Sequence, residues 1–331
     1  METRNIDDLI KIIRNSVEEH KLDTGKYSRW IFGENRDLGV NEYGCADAAN
    51  ILYSIGDFPQ DSNERSSFIK TLQAMQDPET GLFSEKTHHI FHTTAHCSAA
   101  LELFDAKPLY KCKALEKYLT KEGLYNLLEN EIDWTNPWDG SHVGAGILPS
   151  LVNIDMATLQ WKDWYFQWLW EHTDPETGFI CHKKCDAPLY SYMAGGFHYM
   201  FNIESEHRPL RFPEKVIDSC LELMQMGDST PKNAGMKSFI GFIDIDVVYC
   251  LTRAMRQTPH RFYEAKKELE DYAEKYINMF YRIDYKTDKY FNDLHSLFGA
   301  VCCLCELQSA LPGKIITSKP LKLVLDRRPF I

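Results

Sequence analysis

The stretch "THHIFHTTAHCSAALELF" sets four histidines ahead of a run of small and apolar residues. His92 and His96 are four apart, so both imidazoles lie on one face of a helix, a spacing that can hold a metal but signals one only weakly. Ionisable and aromatic residues gather in the same way at five other places. "NEYGCADAAN" brings Glu42, Tyr43 and Asp47, and "DWTNPWDGSH" brings Trp134, Trp138, Asp139 and His142. Tyr190, Tyr192 and His198 follow, then Asp244 and Asp246 in "GFIDIDVVYCLTRA", then Asp293 and His295 in "NDLH". Carboxylates are the groups for acid–base work, which makes Asp246, Asp244, Asp139 and Asp293 the candidate catalytic residues. His92, His96, Trp134, Trp138, His142, Tyr190, Tyr192, His198 and His295 are candidates for holding a substrate, since ligand sites combine aromatic walls with a few convergent polar groups. Each residue taken singly also fits a plainer role, as a helix cap or a hydrogen-bonded core histidine.

The elements that position these residues are marked by a repeated turn. "DPETG" occurs at 77–81 and again at 174–178, each time between an amphipathic segment and a segment rich in small residues. Pro fixes φ and Gly supplies φ > 0, so the unit is helix, turn, helix. Weaker copies, among them "RIDYKTDKYF" with Asp284 in the place of Asp77, raise the number of hairpins to six. The second helices are predicted to start near Tyr43, His92, Trp138, Tyr190, Asp244 and Asp293. They carry few charges, as buried helices do, while their partners carry a charged face and belong outside. The prediction is an all-α chain forming one domain over residues 1–331, a single (α/α)6 toroid of six inner and six outer helices. Inner helices running in parallel bring their N-termini to one mouth, where their dipoles favour an anionic group on a small-molecule or oligosaccharide substrate.

The repeat, an outer helix ending in "LQ", then "DPETGLF", then an inner helix beginning "HTTAHCSAALEL", resembles that of the protein prenyltransferases and squalene–hopene-type terpenoid cyclases. "GFIDIDVVYC" resembles the cyclases' D-x-D-D-T-A segment. That resemblance implies an isoprenoid cyclase or prenyltransferase-like enzyme, with Asp244 at the first Asp and Asp246 at the catalytic acid. The third Asp is Val247 here, and Thr-Ala is replaced by Val248-Tyr249. The prenyltransferase zinc site would fall on Asp244, Asp246 and His295, but its cysteine ligand is missing, so the expectation is no resident cofactor and no stoichiometric zinc. Glycan-active (α/α)6 barrels use similar turns, which leaves a glycoside hydrolase or unsaturated uronyl hydrolase using the mouth carboxylates as the alternative. A non-catalytic binding toroid, meeting a protein partner through outer helices such as "WKDWYFQWLW", is the second.

Composition narrows the classes further. A formal charge of −11 argues against nucleic acid as a partner, and no apolar run reaches the ~20 residues needed to span a bilayer. Ten cysteines without a CxxC pair suit free thiols in a reducing compartment, so the expected location is cytoplasmic. Arg253 and Arg256 could meet a diphosphate, and the tail "KLVLDRRPFI" reads as a docked, strand-like cap.

Overall fold

The computed structural model describes residues 1–33, 39–183, 187–226, 242–327 and 330, and these are mostly helical. In chain order the helices are α1 (Asp7–His20), α2 (Glu42–Ser54), α3 (Ser62–Ala74), α4 (Ile90–Glu102), α5 (Lys121–Asn126), α6 (Pro137–Gly144), α7 (Ile147–Val152), α8 (Leu159–Glu171), α9 (Leu189–Ser205), α10 (Pro213–Gln225), α11 (Phe242–Met255), α12 (Phe262–Phe280), α13 (Lys289–Asn292), α14 (Leu294–Ala310) and α15 (Val324–Arg327). Strands are reduced to two short pairs among the described residues. β1 (Arg4–Asn5) runs parallel to β4 (Ile315–Ile316), and β2 (Lys21–Asp23) runs antiparallel to β3 (Lys26–Tyr27). No described helix is long and apolar enough to cross a membrane.

The repeated turn has a physical basis in its aspartate. The Asp77 carboxylate accepts from the Glu79 and Thr80 amides at 2.8 and 2.7 Å and from the Thr80 hydroxyl at 3.0 Å. Gly81 closes the turn at φ +78°, and a Cβ there would lie 2.0 Å from the Lys111 carbonyl oxygen. Asp174 repeats this pattern with Glu176 and Thr177. The degenerate copy keeps it too, with Asp284 accepting from the Lys286 amide and the Thr287 hydroxyl. The weaker copy predicted before the fifth small-residue helix, within "GDSTPKNAGMKSFIG", lies outside the described residues.

Helices α2, α4, α6, α9, α11 and α14 start within two residues of the six predicted positions. Each packs on the next: α2 on α4, α4 on α6 and α7, α6 on α9, α9 on α11, α11 on α14, and α14 back on α2. All but α6, half of whose residues are at least partly exposed, are buried on nearly every side, as their lack of charge requires. The amphipathic helices lie against them, α1 on α2 and α14, α10 on α9 and α11, and α12 on α11 and α14. On α8, Trp161 and Trp168 are sealed in at 1% and 0% exposure while Trp170 stands 45% exposed, so most of the tryptophan stripe is core.

Two local expectations change. The third small-residue helix is broken in two, α6 and α7, around Ala145 and Gly146, and its preceding partner is only the six-residue α5 followed by a short π-helical turn. The tail forms the short helix α15 rather than a strand-like cap. There Arg253, fully buried, pairs with Glu306 and with Asp326 at 2.8 Å. That pairing occupies Arg253 at the end of α11 away from its start, so it does not join the residues at the helix starts as a diphosphate ligand. The nine described cysteines are free thiols.

Candidate functional site: a buried histidine assembly

Histidines from four of the packed helices meet around Tyr43, and local sequence explains each placement. On α4 the residues His88, His92 and His96 fall four apart, so the one preceding the helix and the two within it form a single stripe. His89 falls off that stripe and caps the helix instead, accepting from the Phe91 amide at 3.2 Å. Tyr43, in the first turn of α2, stacks on His88, His92 and His96 with ring centroids 4.5, 6.0 and 4.9 Å away, and its edge meets His295 of α14 at 4.5 Å. From α6 and α9 come His142 and His198, with centroids 4.7 and 5.5 Å from His92 and 5.1 Å from each other. The close approach of α6 and α9 depends on Gly195, where a Cβ would lie 2.6 Å from the Pro137 carbonyl oxygen.

The assembly divides into two groups. In the first, one ligand atom each of His92, His142 and His198 lies within 4.8 Å of the others. His198 Nδ1 is 2.8 Å from Ser141 Oγ, and that hydroxyl donates its only hydrogen to the Trp138 carbonyl at 2.5 Å. The proton therefore sits on His198 Nδ1, and its Nε2 keeps a free lone pair. His92 Nδ1 is hydrogen-bonded to the Tyr43 hydroxyl at 2.6 Å. Burial, reinforced by the neighbouring imidazoles, pushes His92 and His198 well below the usual histidine range and His142 down to about 3. All three are neutral at physiological pH.

In the second group Asp47 takes an imidazole on each carboxylate oxygen, His96 Nε2 at 2.8 Å and His295 Nδ1 at 3.1 Å. Burial alone would raise the Asp47 carboxyl, but His295 and His96 more than reverse this and hold it well below the usual range. Burial keeps His295 neutral, pushed down to about 3, so it donates its N–H to an ionised carboxylate. Just outside, Arg29 lies over the Tyr43 ring at 5.0 Å and grips Asp293 with two bonds of 2.7 and 3.0 Å.

The carboxylates named from sequence scatter. Asp244 turns outward and accepts the Tyr272 hydroxyl of α12. Asp246 takes another direction, as residues two apart on a helix must. By helical spacing it shares a face with Phe242, Tyr249 and Arg253, four before, three after and seven after it. On that face Phe242 packs 4.4 Å from His295, and Tyr249 packs against Phe197 and Phe201 of α9. Asp246 is buried, its Oδ1 has no hydrogen-bond partner among the described residues, and burial together with Asp244 raises its carboxyl well above the usual range. Asp139 is exposed and bonded by Asn136, and Asp293 caps α14 while holding Arg29. Trp134 is buried between Trp168 and Tyr199, donating to the Leu128 carbonyl, so it is core rather than a sugar platform. Trp138, Tyr190 and Tyr192 are half-buried. Among the described residues Asp244 and Asp246 belong to neither metal-compatible group, His295 is grouped with Asp47 and His96 instead, and His92 and His96 fall into different groups despite their spacing.

Three residues of the assembly were not among the candidates read from the sequence. His88 was detectable, since it stands four before His92. Ser141 and Arg29 take their meaning only from partners on other elements. No family model matches this chain, and no curated protein or solved structure matches it either.

Proposed function

We propose that the chain is an (α/α)6 toroid enzyme acting on a small, unsaturated, apolar molecule of isoprenoid type, with Asp246 as the proton donor. The ring is inferred from the succession of six small-residue helices in which the last packs on the first. Asp246 carries the reading. A buried carboxyl raised well above its usual range, with an oxygen that no described residue satisfies, has the properties of a general acid. The faces of Tyr249, Phe197, Phe201 and Phe242 beside that helix face are suited to a developing carbocation. Asp244 contributes by its charge rather than by contact, because its side chain is committed to Tyr272.

The glycan alternative draws less support. Paired-acid glycosidases need two carboxyls facing one bond, yet Asp139 is exposed, Asp293 is locked to Arg29 and Asp244 faces α12. Only hydration of an unsaturated uronate, which needs a single acid, shares the geometry. The test is turnover of isoprenoid diphosphates and squalene-like polyenes set against unsaturated uronyl oligosaccharides, by wild type, Asp246→Asn and Asp139→Asn. Asp246→Asn is expected to lose at least ~10²-fold on the polyene or diphosphate substrate, with Asp139→Asn close to wild type. Full activity in Asp246→Asn, or turnover of the oligosaccharides alone, overturns the reading.

A further inference from the structure

We propose that His92, His142 and His198 form a divalent transition-metal site of the zinc type, with three imidazole ligands and a fourth position open to water or to an anionic ligand. The site goes beyond the acid at Asp246 and does not depend on it.

Two observations carry the proposal. First, three separate helices, α4, α6 and α9, deliver one imidazole each to a common point, with ligand atoms within 4.8 Å. Around tetrahedral zinc, with Zn–N near 2.0–2.1 Å, the nitrogens stand about 3.3 Å apart, so a modest contraction completes the site. Second, one ring nitrogen each of His92 and His198 is already engaged. Ser141 fixes the proton on His198 Nδ1, and Tyr43 bonds His92 Nδ1. Partners of this kind orient a ligating histidine and set its tautomer. His142 is only half-buried, which leaves one side for entry.

The expectation of a zinc-free protein rested on Asp244, Asp246 and His295 and on their missing thiolate, and this donor set requires no thiolate. Helix N-termini oppose a cation, and three neutral imidazole ligands would have to outweigh that opposition. The second group is a poorer host. Both Asp47 oxygens already accept imidazole N–H bonds, and a metal would have to break them.

The test uses the full chain, stripped with chelator and titrated with zinc chloride or cobalt chloride, with helical content checked by circular dichroism. One zinc per chain is expected, with a cobalt spectrum lacking thiolate charge transfer. Ser141→Ala should weaken zinc by about 10–100-fold, the usual worth of an orienting partner. His142→Ala should weaken it further still, and His142→Gln replaces it if the alanine variant does not fold. Absence of bound zinc, zinc retained in folded His142 variants, thiolate bands with cobalt, or a loss in Asp47→Asn equal to that in His142→Ala each overturn the proposal.

Discussion

At the scale of single residues, Asp246 and Asp47 are two buried carboxyls driven in opposite directions. Asp47 has two imidazole donors, which hold its carboxyl well below the usual range; Asp246 has burial and the Asp244 charge, which raise its carboxyl well above it. The unfolded chain ionises an aspartate near pH 4, so between that pH and the raised native value the folded state binds a proton that the unfolded state has lost. The stability tied to this proton is full below the unfolded pKa and falls as pH rises. Replacing Asp246 with Asn removes the dependence. Denaturant unfolding from about pH 4 to 8 should show the Asn variant gaining on wild type as pH rises, and a constant difference would mean that Asp246 ionises normally. The "DIDVV" segment singled out Asp244 and Asp246 together, but the turn of Asp244 to Tyr272 was not legible, because α12 supplies the partner. Ser141 was not either, because a serine next to His142 signifies nothing until α9 brings His198 across to it.

At the scale of elements, the turn places the histidines. Asp77 satisfies the amides of 79 and 80 and Gly81 takes φ +78° against the Lys111 carbonyl, which delivers the chain to α4 in the register that sets His88, His92 and His96 in one stripe. Gly81→Ala meets both the strained φ and the carbonyl. It should cost at least about 1–3 kcal/mol in denaturant unfolding, and an unchanged midpoint would show the turn to be replaceable. Helix starts were legible because turn chemistry and the loss of charge coincide there. The break between α6 and α7 was not, since "HVGAGILPS" keeps the composition of one continuous buried helix. Trp134 was misread for a related reason. Sequence places it near a helix start, but its indole is claimed by Trp168, Tyr199 and the Leu128 carbonyl from neighbouring elements.

At the scale of the whole molecule, the proposed ring separates two chemistries along its axis. Histidines, Asp47 and Tyr43 collect near the starts of the small-residue helices, while the far ends are tied by Arg253 to Glu306 and Asp326. Aromatic side chains of α9 and α11 fill the space between, with Phe330 packed on both His92 and His198. In an interior of this polarity a single carboxyl is easier to bury as an acid than as an anion. The function proposed rests on that one proton. Infrared difference spectroscopy at neutral pH, wild type minus Asp246→Asn, reads it without knowledge of the substrate. A protonated-carboxyl carbonyl band present in the wild type and lost in the variant is the predicted result. A carboxylate band in its place would contradict the acid at Asp246 and with it the proposed reaction.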